Sequence, residues 1–244
     1  MKILKKLWGV WFYVSLVLIF LFFYPAFFVM LSRRKWYRWA NKLRRVWSKS
    51  LFFSLALFPR VVYQQKLDKD KVYIFCTNHS SYLDIPLFFI GYKGYSHFMA
   101  KKELAQIPVF GIFFRTIDIT VDRSSKISSF KAFEQAKKNL KNKENLVIFP
   151  EGRTSDIAPR LLKFKKGAFR LAIENKIPIV PVTFLDNWRL FPEDGKHMGR
   201  PGVTRVIFHK PIDTNNLTKD DVEMLSKKVY ETIDSTLKKV YESK

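Results

Sequence analysis

One stretch of the chain reads Val72-Tyr73-Ile74-Phe75-Cys76-Thr77-Asn78-His79-Ser80-Ser81-Tyr82-Leu83-Asp84. It opens with apolar residues and continues into a polar run. A short apolar run bounded by polar residues is typical of a buried strand. Residues 83–90 are largely apolar again and stop before Gly91, as expected of a helix that ends at a turn. The stretch therefore predicts a strand, a polar loop and a helix in succession.

The same alternation continues toward the C-terminus. Further strands are predicted at residues 117–121, 146–149, 179–184 and 205–208, and a helix at residues 128–139. A last helix is predicted to start at the Thr-x-x-Asp pattern of Thr218 and Asp221. Strands that alternate with helices predict an α/β fold, a layered domain with a largely parallel or mixed central sheet flanked by helices.

Composition narrows the class of protein. The chain has 244 residues, 16% of them aromatic, and a net charge of +23. So many aromatic residues argue against a disordered chain. The single cysteine, Cys76, excludes an internal disulfide and a cysteine-rich zinc site, and it fits a reducing compartment.

The charge distribution favours a membrane surface over nucleic acid. Nucleic acid, an anionic membrane and an acidic carrier protein would all be attracted by such a charge. No Asp or Glu precedes Asp68, and the same stretch interleaves Lys and Arg with long apolar segments. A nucleic-acid-binding domain seldom carries such segments.

The N-terminus carries two apolar segments. Residues 7–31 contain no charged side chain. This uncharged segment is longer than the apolar region of a signal peptide, which has about 7–15 residues. It is also long enough to cross the hydrocarbon layer, although Pro25 would bend or break such a helix. The basic, tryptophan-rich residues 36–47 and the apolar residues 51–58 predict a second, interfacial helix that stops at Pro59.

From these segments we predict two parts of the chain. Residues 1–60 would form a membrane-anchoring two-helix hairpin, and residues 61–244 the α/β domain. We favour a hairpin that enters one leaflet, with a true span as the alternative.

His79 and Asp84 form a candidate base and its orienting carboxylate. Five residues on a regular helix are about 140° apart, so the two side chains can meet only if His79 lies in the loop and Asp84 in the first helical turn. A carboxylate bonded to one imidazole nitrogen leaves the other nitrogen to accept a proton. Transfer of an acyl group to an alcohol needs such a base. Alone, however, this spacing is more often structural. The other histidines show no metal-ligand spacing, so we predict no metal site.

Four motifs occur in order along the chain. They are Asn78-His79-Ser80-Ser81-Tyr82-Leu83-Asp84; Ala100-Lys101-Lys102-Glu103-Leu104 with Pro108, Gly111, Arg115 and Asp122-Arg123; Phe149-Pro150-Glu151-Gly152-Arg153-Thr154-Ser155; and Ile179-Val180-Pro181-Val182. In content, order and spacing they resemble the glycerolipid acyltransferases, in particular the 1-acylglycerol-3-phosphate acyltransferases. The chain departs from the family pattern in one place. The third motif of the family is usually Glu-Gly-Thr-Arg-Ser, whereas here Arg153 precedes Thr154.

The resemblance implies roles for the motif residues. His79 would be the general base and Asp84 its orienting partner, and the predicted substrate-binding residues are Lys101, Arg115, Glu151, Gly152, Arg153 and Thr154. Glu151 would either bind a glycerol hydroxyl or buttress its loop. No Gly-x-Ser-x-Gly nucleophile motif is present, so direct transfer without an acyl-serine intermediate is expected.

The resemblance also implies substrates, partners and location. The expected reaction moves a fatty acyl group from a thioester of coenzyme A or acyl carrier protein to the sn-2 hydroxyl of lysophosphatidic acid, giving phosphatidic acid without a cofactor. Membrane lipids would be partners, at the cytoplasmic face of a cell membrane of the bacterial inner-membrane type. The alternatives are transfer to glycerol 3-phosphate or another lysolipid, and a non-catalytic membrane-binding protein of the same fold.

Overall fold

The computed structural model describes residues 2–122, 124–194 and 196–242. Its strands are β1 Leu57–Tyr63, β2 Ile74–Thr77, β3 Ser96–Lys101, β4 Ile119–Val121, β5 Asn145–Ile148, β6 Ile179–Phe184 and β7 Gly202–Phe208. Its α-helices are α1 Lys2–Leu31, α2 Tyr37–Ser54, α3 Asp84–Gly91, α4 Ile112–Thr116, α5 Lys126–Lys141, α6 Gly167–Glu174, α7 Asn187–Leu190 and α8 Val222–Tyr241. Short 3-10 turns lie at Arg34–Trp36, Lys102–Gln106 and Lys219–Asp221.

The strands form one mixed sheet in the order β1-β7-β6-β2-β5-β3-β4. The five strands from β6 to β4 are parallel, β7 is antiparallel to β6, and β1 is parallel to β7. The predicted α/β class with a largely parallel or mixed sheet is confirmed. The carboxyl ends of the five parallel strands share one edge, where ligands of such sheets bind.

Each face of the sheet is covered by its own helices. Phe75 faces the layer of α1 to α4, whereas its neighbours Ile74 and Cys76 face α5, α6 and α8. This alternation follows from the two-residue period of a strand. Because both faces are buried, the central strands appear in the sequence as continuous apolar runs.

The two N-terminal helices pack against the sheet domain and against each other. The indole nitrogens of Trp8 and Trp11 donate to the carbonyls of Leu55 and Ser54, at 3.1 and 2.9 Å, so the start of α1 lies beside the end of α2. Phe12, Phe20 and Phe27 on the inner side of α1 are buried in the domain core. The hairpin is therefore part of the folded domain rather than a separate stalk.

The outer side of α1 is apolar and exposed. Its exposed side chains include Leu7, Val10, Val14, Leu18 and Phe22. Among the described residues, α1 alone is long and apolar enough to cross a membrane, by length and composition. The helix continues through Pro25. The expectation that this proline would break the segment is therefore wrong.

The second N-terminal helix is shorter than predicted. It ends at Ser54, and Leu57–Tyr63 form β1. The predicted helix extends to residue 58, so its end is in fact the start of this strand. Strand β1 lies at the sheet edge, where a proline such as Pro59 is tolerated because only one side of the strand is paired. It runs across residue 60, where we predicted the boundary between the two parts of the chain.

Candidate active site

His79 and Asp84 meet in the geometry that their spacing required. His79 lies in the loop after β2, and Asp84 is the first residue of α3. Nδ1 of His79 lies 2.8 Å from Oδ2 of Asp84, with the aspartate fully buried and the imidazole partly exposed. Because an ionised carboxylate only accepts hydrogen bonds, Nδ1 carries the proton and Nε2 presents its lone pair.

A network of donors fixes the Asp84 carboxylate. Oδ2 also accepts from the backbone amides of Ser80 and Ser81, at 2.8 and 3.0 Å. Oδ1 accepts from the side-chain amide of Asn187 at 2.7 Å, and the Asn187 carbonyl accepts from the Thr204 hydroxyl. These donors compensate for the burial of a charge. No local motif in the sequence of α7 or β7 points to Asn187 or Thr204.

The His79 loop is held on both sides by neighbouring strands. The Asn78 side chain donates to the Phe184 carbonyl at 3.0 Å and accepts from the Phe184 amide at 2.8 Å. The Ser155 amide donates to the His79 carbonyl at 2.7 Å. The Phe149 ring stacks on the imidazole, with the ring centroids 3.9 Å apart. The first and third motifs therefore form one rigid unit with the end of β6.

Glu151 is a buried brace between two loops. Oε1 accepts from the His79 amide and Oε2 from the Leu162 amide, each at 2.8 Å. Burial raises the pKa of Glu151 to about 7, and the two amide hydrogen bonds oppose that rise. Both oxygens already have partners within the protein, which favours the loop-buttress alternative over direct binding of a glycerol hydroxyl.

The next residues of the third motif turn toward the surface. Gly152 has φ +77°, a left-handed backbone conformation that favours glycine, and a Cβ there would lie 2.7 Å from Cε of the flexible Lys165 side chain, which would have to move. The guanidinium of Arg153 is 58% exposed and lies 3.0 Å from the Asp156 carboxylate. Arg153 is therefore accessible to a ligand from solvent.

Thr154 contacts a carboxylate from a distant part of the chain. Its hydroxyl donates to the Glu193 carboxylate at 2.8 Å. Burial, followed by the nearby Glu193 charge, raises the pKa of Tyr82 to about 12. Glu193 therefore joins the first and third motifs, although no motif surrounds it in the sequence.

The cations of the second motif lie apart from the His79–Asp84 pair. Lys101 ends β3, is exposed, and lies 3.5 Å from Glu103. The guanidinium of Arg115 donates to the Ala105 carbonyl at 2.5 Å and so closes the turn before α4. Arg123 lies outside the described residues.

Strand order nevertheless brings three predicted residues to one edge. His79 follows β2, Arg153 follows β5 and Lys101 ends β3, and these strands are adjacent and parallel. Neighbouring strands are about 4.8 Å apart, so the ends of β2 and β3 are separated by roughly 10 Å. The predicted base and two predicted cations therefore follow or end neighbouring strands at this edge.

Other parts of the described chain offer no competing chemistry. No group of three or more His, Cys, Asp or Glu side chains among these residues is placed to bind a metal ion. Two of the cavities in the described part of the chain, of about 400 and 540 Å³, include none of the predicted site residues.

Comparisons with known proteins agree with the motifs. A family model described as Acyltransferase matches residues 59–185. A 1-acyl-sn-glycerol-3-phosphate acyltransferase of Saccharomyces cerevisiae is 37% identical over 195 residues, which are 76% of this chain and 62% of that protein. A Chlamydomonas reinhardtii protein of the same description is 28% identical over 184 residues, 75% of this chain and 54% of its own length.

A solved structure has the same overall fold. It is the 1-acyl-sn-glycerophosphate (LPA) acyltransferase of Thermotoga maritima, with 27% identity and a TM-score of 0.80 over 100% of this chain and 98% of that chain. The chain spans only 62% and 54% of the two curated relatives above. A family model that covers more than half of the sequence, with the fold and motifs described above, shows that the chain belongs to the acyltransferase family.

Proposed function

We propose that the protein transfers a fatty acyl group from an acyl thioester to the free sn-2 hydroxyl of lysophosphatidic acid, giving phosphatidic acid. The observation that carries this proposal is the 2.8 Å contact between His79 Nδ1 and the buried Asp84 carboxylate at the carboxyl edge of the sheet. The names of the yeast relative and the Thermotoga maritima structure support the same acceptor.

The chemistry is a direct transfer. Nε2 of His79 takes the proton of the acceptor hydroxyl as that oxygen attacks the thioester carbonyl carbon. The carbon–sulfur bond then breaks, and the imidazolium returns the proton to the leaving thiolate. Asp84 holds the ring and stabilises its charged form. General-base assistance of this kind accelerates a reaction by typically 10²–10⁴-fold.

Arg153 is our candidate for the main phosphate ligand. A guanidinium can hold a phosphate through two parallel hydrogen bonds. Its exposed ion pair with Asp156 is of a kind that contributes little to stability, so a phosphate could replace the carboxylate. Lys101 would add charge from the neighbouring strand end. Arg115 donates one guanidinium N–H to the Ala105 carbonyl, and its other N–H donors could contribute to the phosphate site.

The outer face of α1 would place this chemistry at a membrane. Moving a sixteen-carbon chain into water would cost on the order of 10 kcal/mol at about 0.8 kcal/mol per methylene, so the lysolipid stays in the bilayer. The ring of Phe12 in α1 lies 6.4 Å from that of Tyr82, three residues after His79. Phe12 is on the buried side of the helix, so α1 itself packs beside the loop that holds the base. The buried inner side of α1 favours insertion into one leaflet, and we propose that this is the cytoplasmic leaflet.

Acceptor choice tests the proposal. Purified protein is incubated with vesicles that contain lysophosphatidic acid and a labelled palmitoyl thioester, and the lipid products are separated. Parallel reactions replace the acceptor with glycerol 3-phosphate or lysophosphatidylcholine. Phosphatidic acid is expected as the main product. Efficient acylation of another acceptor, with none of lysophosphatidic acid, would overturn the proposal.

The R153M variant tests the phosphate ligand in the same assay. Loss of a charge-assisted hydrogen bond costs roughly 1.5–3 kcal/mol, so KM for lysophosphatidic acid should rise about 10–100-fold. K69M, which alters an exposed cation in the loop before β2, is the matched control. An unchanged KM in R153M would remove Arg153 from the phosphate site.

A further inference from the structure

A strip of exposed cations follows the third motif. We call it the basic strip, and it consists of Arg160, Lys163, Lys165, Lys166 and Arg170. The sequence has no acidic residue between Asp156 and Glu174. A salt bridge of 2.5 Å joins Lys166 to Glu223, but none among the described residues engages Lys163 or Arg170. The strip therefore presents net positive charge to solvent.

The basic strip is bonded directly to the catalytic loops. The Lys165 amide donates to the Pro150 carbonyl at 2.8 Å, and the Lys165 side chain covers Gly152. The Leu162 amide donates to Glu151, which in turn holds the His79 amide. A molecule bound to this strip would lie beside the reactive edge of the sheet.

The basic strip lies on the side of the sheet away from α1. Leu161, Phe164 and Phe169, which alternate with its cations, pack in the core beneath α5 and α8. Helix α1 packs on the opposite face of the sheet. When the outer face of α1 contacts lipid, the strip therefore faces water.

An exposed apolar pair lies beside the basic strip. Ile127 and Phe130, at the start of α5, are 69% and 66% exposed. One turn later, the Phe133 ring approaches Gly167 at the start of α6, 3.6 Å from where its Cβ would be. Apolar side chains bordered by charges are the usual composition of a protein-binding surface.

We propose that the basic strip, with Ile127 and Phe130, is the docking surface for an acidic acyl carrier protein that delivers the thioester. The inference rests on the proposed function, because the carrier supplies its acyl donor. Complementary charge steers such encounters, and the cations are spread along the chain rather than gathered in one pocket. Donor and lipid acceptor would then reach His79 from opposite sides of the sheet.

Charge reversal tests the docking surface. Initial rates are measured for full-length wild type and K163E/R170E with two donors, a palmitoyl thioester of an acidic acyl carrier protein and palmitoyl-coenzyme A. Lysophosphatidic acid is supplied in vesicles. The variant should raise KM for the carrier-protein thioester at least tenfold with little change in kcat. Its KM for the coenzyme A thioester and for lysophosphatidic acid should change less than twofold. I127S/F130S should show the same pattern without altering charge.

Controls separate docking from other effects. K66E/K69E reverses two exposed cations before β2 and should leave both donor KM values unchanged. If K163E/R170E changes KM equally for the two donors, or changes neither, the proposed docking surface is wrong. Loss of vesicle binding in K163E/R170E would also overturn it, because the strip would then contact the membrane. If wild type forms no phosphatidic acid from either donor, the proposed function itself has failed.

Discussion

At the scale of single residues, the proposed chemistry depends on the hydrogen bonds that Asp84 accepts. Both carboxylate oxygens accept hydrogen bonds, and one of them orients His79. In D84N an amide NH₂ would replace an acceptor and face a donor, and the negative charge beside the imidazole would be lost. We expect kcat to fall roughly 10²–10⁴-fold. Steady-state rates of phosphatidic acid formation, with folding checked by circular dichroism, measure the effect. A kcat within threefold of wild type would contradict the role of Asp84.

The raised pKa of Glu151 predicts that the free energy of unfolding depends on pH. Burial raises its pKa from 4.5 to about 7 in the folded protein. A raised folded pKa means that the folded state binds the proton more tightly, so this carboxyl favours folding at low pH. Its contribution is lost as pH rises from about 4.5 to about 7. E151Q does not titrate there.

Urea unfolding at several pH values checks this sign. The free energy of unfolding of wild type, minus that of E151Q, should fall by about 3 kcal/mol between pH 4 and pH 8, because each pH step in this range contributes up to about 1.4 kcal/mol. The constant offset between the two proteins is not the test, since the amide also removes an acceptor. E174Q, at an exposed position, is the control. A difference that stays constant across this pH range would show that burial does not raise the pKa of Glu151.

The sequence predicted the contact between His79 and Asp84 but not the residues that support it. His79 and Asp84 are close in the chain, and the loop-to-helix placement follows from their spacing. Asn187 and Glu193 reach the site from more than a hundred residues downstream of them, through the fold of α7 and the segment that follows it. No local pattern encodes such contacts. The roles of the substrate-binding residues stay predictions.

At the scale of elements, α2 is attached to the domain by a buried ion pair. The Arg44 guanidinium donates to both oxygens of Asp118, at 3.1 and 2.6 Å, and both side chains are almost fully buried. Removal of one partner of a buried pair costs about 3–5 kcal/mol, because the other charge remains without compensation. R44M should lower the free energy of unfolding by this amount in urea titrations.

Two comparisons make the ion-pair prediction specific. K49M, an exposed position on the same helix, should change stability by less than about 0.5 kcal/mol. R44M/D118N should recover part of the loss, since it removes the uncompensated charge. Equal stability of R44M and K49M would refute a structural role for the pair.

The outer face of α1 predicts membrane binding. Leu18 and Phe22 are 59% and 79% exposed and lie one turn apart. Transfer of each from water to lipid is worth about 1.5–3 kcal/mol, so L18D/F22D should weaken vesicle partitioning at least 100-fold. M224D alters an exposed apolar residue on α8 and should not affect it. Vesicle flotation measures both. Undiminished binding of L18D/F22D would exclude α1 as the membrane contact.

Composition and period predicted which elements form but not where α2 gives way to β1. Residues 51–58 are apolar in a way that suits either a helix or a strand, and the choice is made by pairing with β7, far along the chain. The interfacial helix that the basic run of α2 predicts stays a prediction. Within that run, Arg44 is buried against Asp118 and Arg45 donates to the Phe89 and Tyr92 carbonyls. Tertiary contacts of this kind are invisible in a local pattern.

At the scale of the whole molecule, the sheet separates two environments. Its α1 side exposes apolar side chains that suit a bilayer, and its α6 side exposes the basic strip. The net charge of +23 suggested an anionic partner from the sequence alone, but only the fold distributes the charge between the two faces. The reactive edge lies between them, which suits an enzyme that joins a lipid to a water-soluble donor.

The most direct test of the central claim is phosphatidic acid formation by H79A. We expect its kcat to fall at least about 10²-fold, while vesicle binding and the unfolding midpoint stay at wild-type values. H197A, which removes an exposed histidine bonded to Tyr13, should retain activity and serves as the control. If H79A formed phosphatidic acid at the wild-type rate, the assignment of His79 as the base that activates the acceptor hydroxyl would be contradicted.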